Sequence, residues 1–305
     1  MLANSRFLNC FQHCSKALQV LGSVMVLLVV ALVAFSWYAV VPLCYGPYIF
    51  GDSILKAILS GLACVLYTAL NVMVLWCYFA AVTTDPGRVP SGWHPFVDDQ
   101  QAAVELERLA YSDYYVDRRD PRRPRFCKRC QAWKPERSHH CSVSGHCILR
   151  MDHYCIWVIN CVGLLNYKHF LLFLFYVALG SLATFFLLLS SLIKFFKGHL
   201  FGPTTPMVFI AAVINFSFAL AVSGFIIMHL QMIGANCTTI EMYEKERVHP
   251  WPYNKGFRRN FEEVFGRSKP RWLLPSHTKE ERRQLLDSCL SQTARLAENS
   301  PLLGA

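Results

Sequence analysis

Residues 127–170 read CKRCQAWKPERSHHCSVSGHCILRMDHYCIWVINCVGLLNYKHF and hold six of the chain's 13 cysteines within 35 residues. These six stand among His, Lys and Arg instead of being spread as a disulfide framework would be. In a chain of 305 residues, such crowding favours metal binding or thiol chemistry in a reducing compartment. The six are Cys127, Cys130, Cys141, Cys147, Cys155 and Cys161.

The first half of this segment predicts a zinc site. Cys127 and Cys130 form a C-x-x-C knuckle, a spacing that lets two thiolates bind one zinc ion. A domain this small seldom has enough apolar core to fold alone, so a metal that holds it together is physically expected. Free buried thiols and a redox-active pair are the alternatives, and the strand and helix context of a redox motif is missing. Candidates for the two remaining ligands are His139, His140, Cys141, His146 and Cys147.

The tetrapeptide Asp152-His153-Tyr154-Cys155 follows at once and contains the groups that thiol chemistry needs. The thiolate is the nucleophilic form of cysteine, and a neighbouring imidazole that accepts the proton produces it. A carboxylate hydrogen-bonded to that imidazole fixes its tautomer and stabilises its charged form. In extended backbone His153 and Cys155 project to one side, so the arrangement is chemically sufficient.

Four apolar stretches surround the cysteine-rich segment, two before it and two after it. They cover roughly residues 18–41, 57–82, 170–193 and 207–233, and none contains Asp, Glu, Lys or Arg. Each is long enough to cross about 30 Å of hydrocarbon. Only 16% of the residues are charged, fewer than in ordinary soluble domains. We therefore expect an all-α membrane protein with four transmembrane helices and a small cytosolic zinc-stapled domain between helices two and three.

The distribution of Lys and Arg predicts the orientation. The segment between spans two and three holds 13 of them, the C-terminal tail 12 and the N-terminus two, whereas the two short loops hold three in all. This asymmetry places both termini and the cysteine-rich segment in the cytosol. Golgi or ER membranes are expected, with the plasma membrane as an alternative. A net charge of +10 on such a chain favours lipid surfaces or polyphosphate ligands and not nucleic acid.

The chain divides into five predicted parts, and the tail is expected to be disordered from about residue 275 because it is polar there. The parts are the N-terminus with helices one and two (1–82), a linker with Asp85-Pro86-Gly87 (83–125), the cysteine-rich catalytic domain (126–169), helices three and four (170–233), and a tail with Thr238-Thr239-Ile240-Glu241 and a C-terminal packing element (234–305).

The segment from Cys127 to Phe170 has the pattern C-x2-C-x3-K-P-x-R-x2-H-C-x5-C-x4-D-H-Y-C-x5-C-x4-N-x3-F. It resembles the cysteine-rich domain of the DHHC protein S-acyltransferases, or palmitoyltransferases. The DPG, TTIE and NFEEVFG motifs stand in the order that this family shows, so the likeness covers residues 18–266. The resemblance implies that a long-chain acyl group, palmitoyl by expectation, moves from acyl-CoA to Cys155 and then to a cysteine of a membrane-associated protein.

The resemblance also assigns roles to individual residues. It makes Cys155 the acyl-accepting nucleophile, His153 its base and Asp152 the orienting acid, with Thr239 near that acid. Asn260 belongs to the C-terminal element that the family packs against its core. The first zinc would be held by Cys127, Cys130, His140 and Cys147.

Two positions depart from the family pattern. The family usually has a second His where this chain has Tyr154, and a further Cys where it has Ser144. Both positions would bind a second zinc together with Cys141 and Cys161. Because a hydroxyl and a phenol are poor zinc donors at neutral pH, we expect one structural zinc only. A second site rebuilt with His139 or His146 is the alternative.

Basic residues near the catalytic segment are candidates for binding the CoA phosphates, although a solvated or lipid-facing surface explains them equally well. They are Arg125, Lys128, Arg129, Lys134 and Arg150. Among other functions, a catalytically weak scaffold is the first alternative. A transporter or channel is disfavoured because the spans lack charged groups, and a zinc module that binds RNA or protein leaves the Asp-His-Cys set unexplained.

Overall fold

The computed structural model describes residues 21–96, 99–104, 125–198, 202–245 and 250–298. Within them are four helices long and apolar enough to cross a membrane, as predicted. Helices α2, α3 and α4 begin and end one to three residues beyond the predicted apolar runs. The first is α1 (Leu21–Ile49), followed by α2 (Ile54–Thr83), α3 (Tyr167–Phe196) and α4 (Thr205–Ala235).

Helix α1 continues past its predicted end at residue 41. Its last part is a π-helical stretch, Ala39–Tyr45, with Pro42 inside it. Proline has no N–H to donate and its ring clashes with the carbonyl four residues earlier. A locally wider turn accommodates that clash and lets the helix continue.

Helix α3 lies at the centre of the bundle and packs against both α2 and α4. Of its most apolar stretch 56% is buried, against 22–28% in the other three helices. Polar side chains also join the helices where no water is available to them. Tyr67 Oη lies 2.6 Å from Thr184 Oγ1, and Asn215 Nδ2 donates to Ser36 Oγ at 2.9 Å.

The cysteine-rich domain consists of three short antiparallel hairpins. An isolated two-stranded hairpin is marginally stable in water, so each must be held by other contacts. The strands are β1 (Arg125–Cys127) with β2 (Ala132–Lys134), β3 (Ser138–Cys141) with β4 (His146–Leu149), and β5 (His153–Cys155) with β6 (Asn160–Val162).

The third hairpin is tied to the end of α2. Asn160 Nδ2 donates to the carbonyls of Ala81, Val82 and Thr84 at 3.2, 3.2 and 2.9 Å. Gly163 follows the hairpin, and a Cβ there would lie 2.6 Å from Ile148 Cγ2, so only glycine fits. The third hairpin therefore has a fixed position on the membrane bundle.

The C-terminal part contains α5 (Thr239–Lys245), α6 (Phe257–Phe265), a 3-10 turn (Lys269–Arg271) and α7 (Lys279–Glu298). The prediction of disorder from about residue 275 is wrong for residues 275–298. Thr278 and Glu281 form a reciprocal cap that begins α7, with N···O distances of 2.8 and 2.9 Å. One face of α7, including Leu285 and Cys289, then packs on Leu149, which the polar composition did not reveal.

The predicted parts 1–82 and 83–125 are described incompletely. Residues 1–20 and about half of the linker, 97–98 and 105–124, lie outside the described residues, as does the end of the tail, 299–305. The DPG motif is described, and Asp85 Oδ1 accepts from the backbone N–H of Gly87 at 2.8 Å. Leu149 N in turn donates to Gly87 O at 2.8 Å, which joins this turn to β4.

Candidate active site and metal centre

Asp152 stands just before β5 and has both carboxylate oxygens in use. Oδ2 lies 2.7 Å from His153 Nδ1, and Oδ1 accepts from the backbone N–H of Thr239 at 2.8 Å. The Thr239 hydroxyl donates to the Asp152 carbonyl at 2.6 Å. The structure thus places Thr239 against the acid, and the buried carboxylate can orient the imidazole.

His153 lies between this carboxylate and the Cys155 thiol. Burial by itself would lower the pKa of His153, but hydrogen bonds with Asp152 and Cys155 and their charges raise it to about 9. A protonated imidazole next to a thiol favours the thiolate form of that thiol. The extended backbone of β5 puts both side chains on one side, as the i and i+2 spacing predicts.

Aromatic side chains from the membrane helices lie against the imidazole. Phe170 meets the His153 ring edge to face, with centroids 5.3 Å apart, and the His229 ring lies 6.4 Å from the same imidazole and 5.4 Å from Phe170. Tyr167 Oη lies 3.0 Å from His229 Nδ1. Phe170 was indicated by its motif, whereas nothing in the sequence indicated Tyr167.

Cys155 is buried at the junction between the domain and the bundle. Its side chain belongs to the same apolar cluster as Val158, Phe170 and Phe173, and this cluster continues into α2 and α4. Nearby, Tyr78 of α2 donates to the Trp157 carbonyl at 2.8 Å. A thiol at this point has polar hydrogen-bonding groups on one side and the apolar interior of the bundle on the other.

A buried ion pair holds the TTIE motif in place. Arg137 forms a two-pronged contact with Glu241, with N···O distances of 2.7 and 2.6 Å, and also donates to the Asn236 carbonyl at 3.0 Å. Burial would raise the pKa of Glu241, but Arg137 lowers it. Because Glu241 is two residues after Thr239, this pair fixes the group that orients Asp152. Sequence reasoning assigned no role to Arg137.

Four predicted metal ligands come together at the first two hairpins. The Sγ atoms of Cys127 and Cys130 lie 3.6 and 3.1 Å from His140 Nδ1, and Cys147 Sγ lies 3.8 Å from Cys130 Sγ. All four ligand atoms are within 4.8 Å of one another. A tetrahedral zinc ion with bonds of about 2.0–2.3 Å needs ligand atoms roughly 3.5–3.8 Å apart. The donor set therefore fits a zinc ion.

A second cluster repeats this arrangement 14 positions later, a regularity that sequence reasoning missed. Cys141 and Ser144 replace the knuckle pair, and Tyr154 and Cys161 stand opposite each other in β5 and β6 as His140 and Cys147 do in β3 and β4. Ser144 Oγ lies 3.8 Å from Cys161 Sγ. Burial raises the pKa of Tyr154, so this side chain stays a neutral phenol.

The alternative of a rebuilt second site receives no geometric support. Among the described residues, the only set of three or more His, Cys or acidic ligands that converges on one point is the first cluster. His139 and His146 join no such group with Cys141 and Cys161 in that part of the chain.

The five basic candidates do not form one surface. Arg125 and Lys134 face each other across β1 and β2, and Lys128 and Arg129 lie exposed in the adjoining turn. The prediction that Arg150 binds the CoA phosphates is not supported, because its side chain is already paired. Its guanidinium binds Glu263 and Asn236, both at 2.7 Å, and its side chain is only 10% exposed.

Comparison with known proteins finds a matching family model and several similar proteins. The family model described as DHHC palmitoyltransferase matches residues 120–246. The chain is 43% identical to probable protein S-acyltransferase 13 of Arabidopsis thaliana, over 91% of this chain and 92% of that protein. It is 44% identical to probable protein S-acyltransferase 14 of the same plant, over 91% of each. It is also 32% identical to palmitoyltransferase ZDHHC15A of Danio rerio, over 89% of this chain and 85% of that protein.

Proposed function

Since the chain belongs to the DHHC palmitoyltransferase family and is a multi-pass protein S-acyltransferase, we propose that Cys155 carries the acyl group during transfer. The observation that supports this assignment is the continuous set of contacts from Thr239 through Asp152 and His153 to Cys155. The comparisons give no support to the alternative of a scaffold without activity.

In the first step, the Cys155 thiolate attacks the thioester carbonyl of a long-chain acyl-CoA. The new C–S bond forms at Cys155, the bond to the CoA sulfur breaks, and the proton held by His153 neutralises the departing CoA thiolate. Asp152 keeps the imidazole in the orientation that this transfer requires.

In the second step, a cysteine of a membrane-associated substrate protein attacks the acyl group. His153 accepts the proton of that thiol, and Cys155 leaves as the thiolate from which the cycle began. Each step exchanges one thioester for another, so no ATP is consumed. Palmitoyl is the proposed chain, because each buried CH₂ contributes about 0.8 kcal/mol and the apolar cluster around Cys155 continues between the helices.

The remaining assignments follow from the neighbouring clusters. One zinc ion held by Cys127, Cys130, His140 and Cys147 would tie the first two hairpins together and supply structure, not chemistry. Arg125 and Lys134 face each other across β1 and β2, so two cationic side chains lie side by side on this hairpin. We assign these two residues, with Lys128 and Arg129, to the CoA phosphates.

The cytosolic orientation is likewise a proposal, supported by the distribution of Lys and Arg along the chain. CoA thioesters and reduced substrate thiols are both available on that side of an endomembrane. Restricted proteolysis of sealed microsomes tests it, because the segment 105–124 should be cleaved from outside without detergent. Protection of that segment would reverse the orientation.

Labelled palmitoyl-CoA tests the acyl intermediate. Purified protein should incorporate label that hydroxylamine removes, and Cys155→Ser should lose it. Cys289→Ser is the matched control, since this buried thiol lies on α7 and should not affect labelling. Retention of the thioester label by folded, zinc-loaded Cys155→Ser would overturn the assignment of the nucleophile.

A further inference from the structure

The segment Phe257–Leu274, which contains α6 and the 3-10 turn, lies beside the ends of α3 and α4. Asn260 Nδ2 donates to the Gly234 carbonyl in the last turn of α4 at 2.8 Å. Phe257 packs over the same glycine, 3.5 Å from where a Cβ would stand. We call these residues the interfacial segment.

Contacts with α3 show how far this segment reaches along the membrane helices. The Leu273 carbonyl accepts from Tyr176 Oη at 2.9 Å, and three residues later the Ser276 carbonyl accepts from Lys168 Nζ at 3.0 Å. The apolar run of α3 begins at Phe170. At 1.5 Å per residue, the Cα of Tyr176 is about 9 Å inside that run, and its side chain leans back toward the start of the helix. Leu273 therefore lies beside the first two turns of the apolar run, and the chain then returns to Ser276, which contacts Lys168 ahead of the run.

The apolar side chains of this region point outward. Phe257 is 62% exposed and Leu273 57% exposed, and Phe175 of α3, which precedes Tyr176, is 41% exposed. Trp272 holds the turn in place, because its Nε1 donates to the Gly266 carbonyl at 2.9 Å and its ring meets Phe261 at 5.0 Å. An apolar edge at this depth is typical of an element that lies in the membrane interface.

The same segment carries an excess of positive charge. Its acidic side chains are Glu262, which pairs with Arg258 at 3.0 Å, and Glu263, which pairs with Arg150 at 2.7 Å. Four further cations are exposed and lie in or beside the turn or on α6, where lipid phosphates would stand. They are Arg259, Arg267, Lys269 and Arg271.

We propose that the interfacial segment is a monotopic membrane contact in which Leu273 and Leu274 enter the bilayer and Arg267, Lys269 and Arg271 bind the phosphates of anionic lipids. The combination favours a lipid over a soluble phosphate compound, since a soluble ligand would not account for exposed leucines at the level of Tyr176. Basic residues next to an inserted apolar edge are the usual means of binding an anionic leaflet.

Hydrogen–deuterium exchange of the full chain in nanodiscs tests this contact. Amides of residues 267–275 should exchange several-fold more slowly in discs that contain phosphatidylserine than in discs of phosphatidylcholine alone. Arg267→Glu/Lys269→Glu/Arg271→Glu should abolish the difference, whereas Arg267→Lys/Lys269→Arg/Arg271→Lys, which keeps the charge, should retain it. Unchanged exchange across residues 127–161 in each variant shows that the fold is intact.

Two further measurements distinguish lipid phosphate from soluble phosphate compounds. Inorganic phosphate or CoA added to phosphatidylcholine discs should not reproduce the protection. Equal exchange in both kinds of disc, full protection by a soluble phosphate compound, or undiminished protection in the charge-reversed variant would each overturn the proposal. None of these outcomes depends on acyl transfer, so they leave the proposed role of Cys155 to its own test.

Discussion

The two cysteine clusters of the catalytic domain have the same design and different chemistry. In each, two residues of a turn face a cross-strand pair, and the second cluster lies 14 positions after the first at all four places. The first offers three thiols and an imidazole within 4.8 Å of one another. The second offers two thiols, a hydroxyl and a phenol in an apolar cluster with Ile148 and Met151.

Their surroundings differ in what holds each hairpin in place. The second cluster is built on the hairpin that Asn160 ties to α2 and that Thr239 meets through Asp152. The hairpin of β1 and β2 packs its aromatic side chains on Phe96 and Ala102, and the four ligands of the first cluster join it to the hairpin of β3 and β4. In the proposal of a single zinc, the cluster without metal is therefore the one whose hairpin is hydrogen-bonded to the membrane bundle.

The largest expected effect comes from breaking the first cluster. Cys147→Ala should eliminate bound zinc, lower the melting temperature of the purified protein and reduce acyl-enzyme formation more than tenfold. Zinc binding supplies about 10–16 kcal/mol in small zinc-dependent domains, more than a hairpin domain can replace. Metal analysis with thermal unfolding measures it. A Cys147→Ala protein that keeps its zinc and its labelling would show that the cluster is not the site.

Restoring the missing ligands of the second cluster should let it bind zinc as the first cluster does. Ser144→Cys/Tyr154→His restores two strong ligands beside Cys141 and Cys161, so a second equivalent of zinc should bind and the melting temperature should rise. Ser144→Cys alone leaves the phenol in place and serves as the control. Metal analysis measures the zinc content of each variant. Two equivalents of zinc in the unmodified chain would contradict the proposal of a single zinc.

The two clusters also show which parts of the structure could be predicted from the sequence. Four apolar runs were sufficient to predict the bundle, because a membrane span depends on residue type and length. The C-x-x-C spacing predicted a metal centre but left five candidates for the other two ligands, and the choice of His140 and Cys147 came from the family resemblance. The pairing of Arg137 with Glu241 was not predictable, since 104 positions separate them. Helix α7 was missed because its composition is polar and its apolar face acquires a partner only in the folded chain.

A smaller effect is expected from removing one thiol of the second cluster. Cys161→Ala should cost about 1–2 kcal/mol of unfolding free energy, as usual for a small buried side chain, because Cys161 is fully buried. Zinc content should stay at one equivalent and acyl-enzyme should still form. Ser144→Ala is the matched control, with a change within about 0.5 kcal/mol. Loss of zinc from Cys161→Ala would indicate that this cluster also binds metal.

The smallest expected effect is the pH dependence of the stabilisation that protonated His153 gives to the fold. His153 has its pKa raised from 6.5 to about 9, so its protonated form stabilises the fold fully below pH 6.5. That stabilisation is lost as the pH rises through about 9. The melting temperature of the native chain should therefore exceed that of His153→Gln by a few degrees near pH 6.5, and the gap should narrow steadily towards pH 9. Both proteins keep the same zinc ligands, so titration of the metal centre cancels in the comparison.

Asp152→Asn removes the carboxylate that raises the pKa of His153. In that background the difference in melting temperature should narrow at a lower pH. A gap that stays constant or widens with rising pH would mean that the imidazole is not held in its charged form by Asp152 and Cys155.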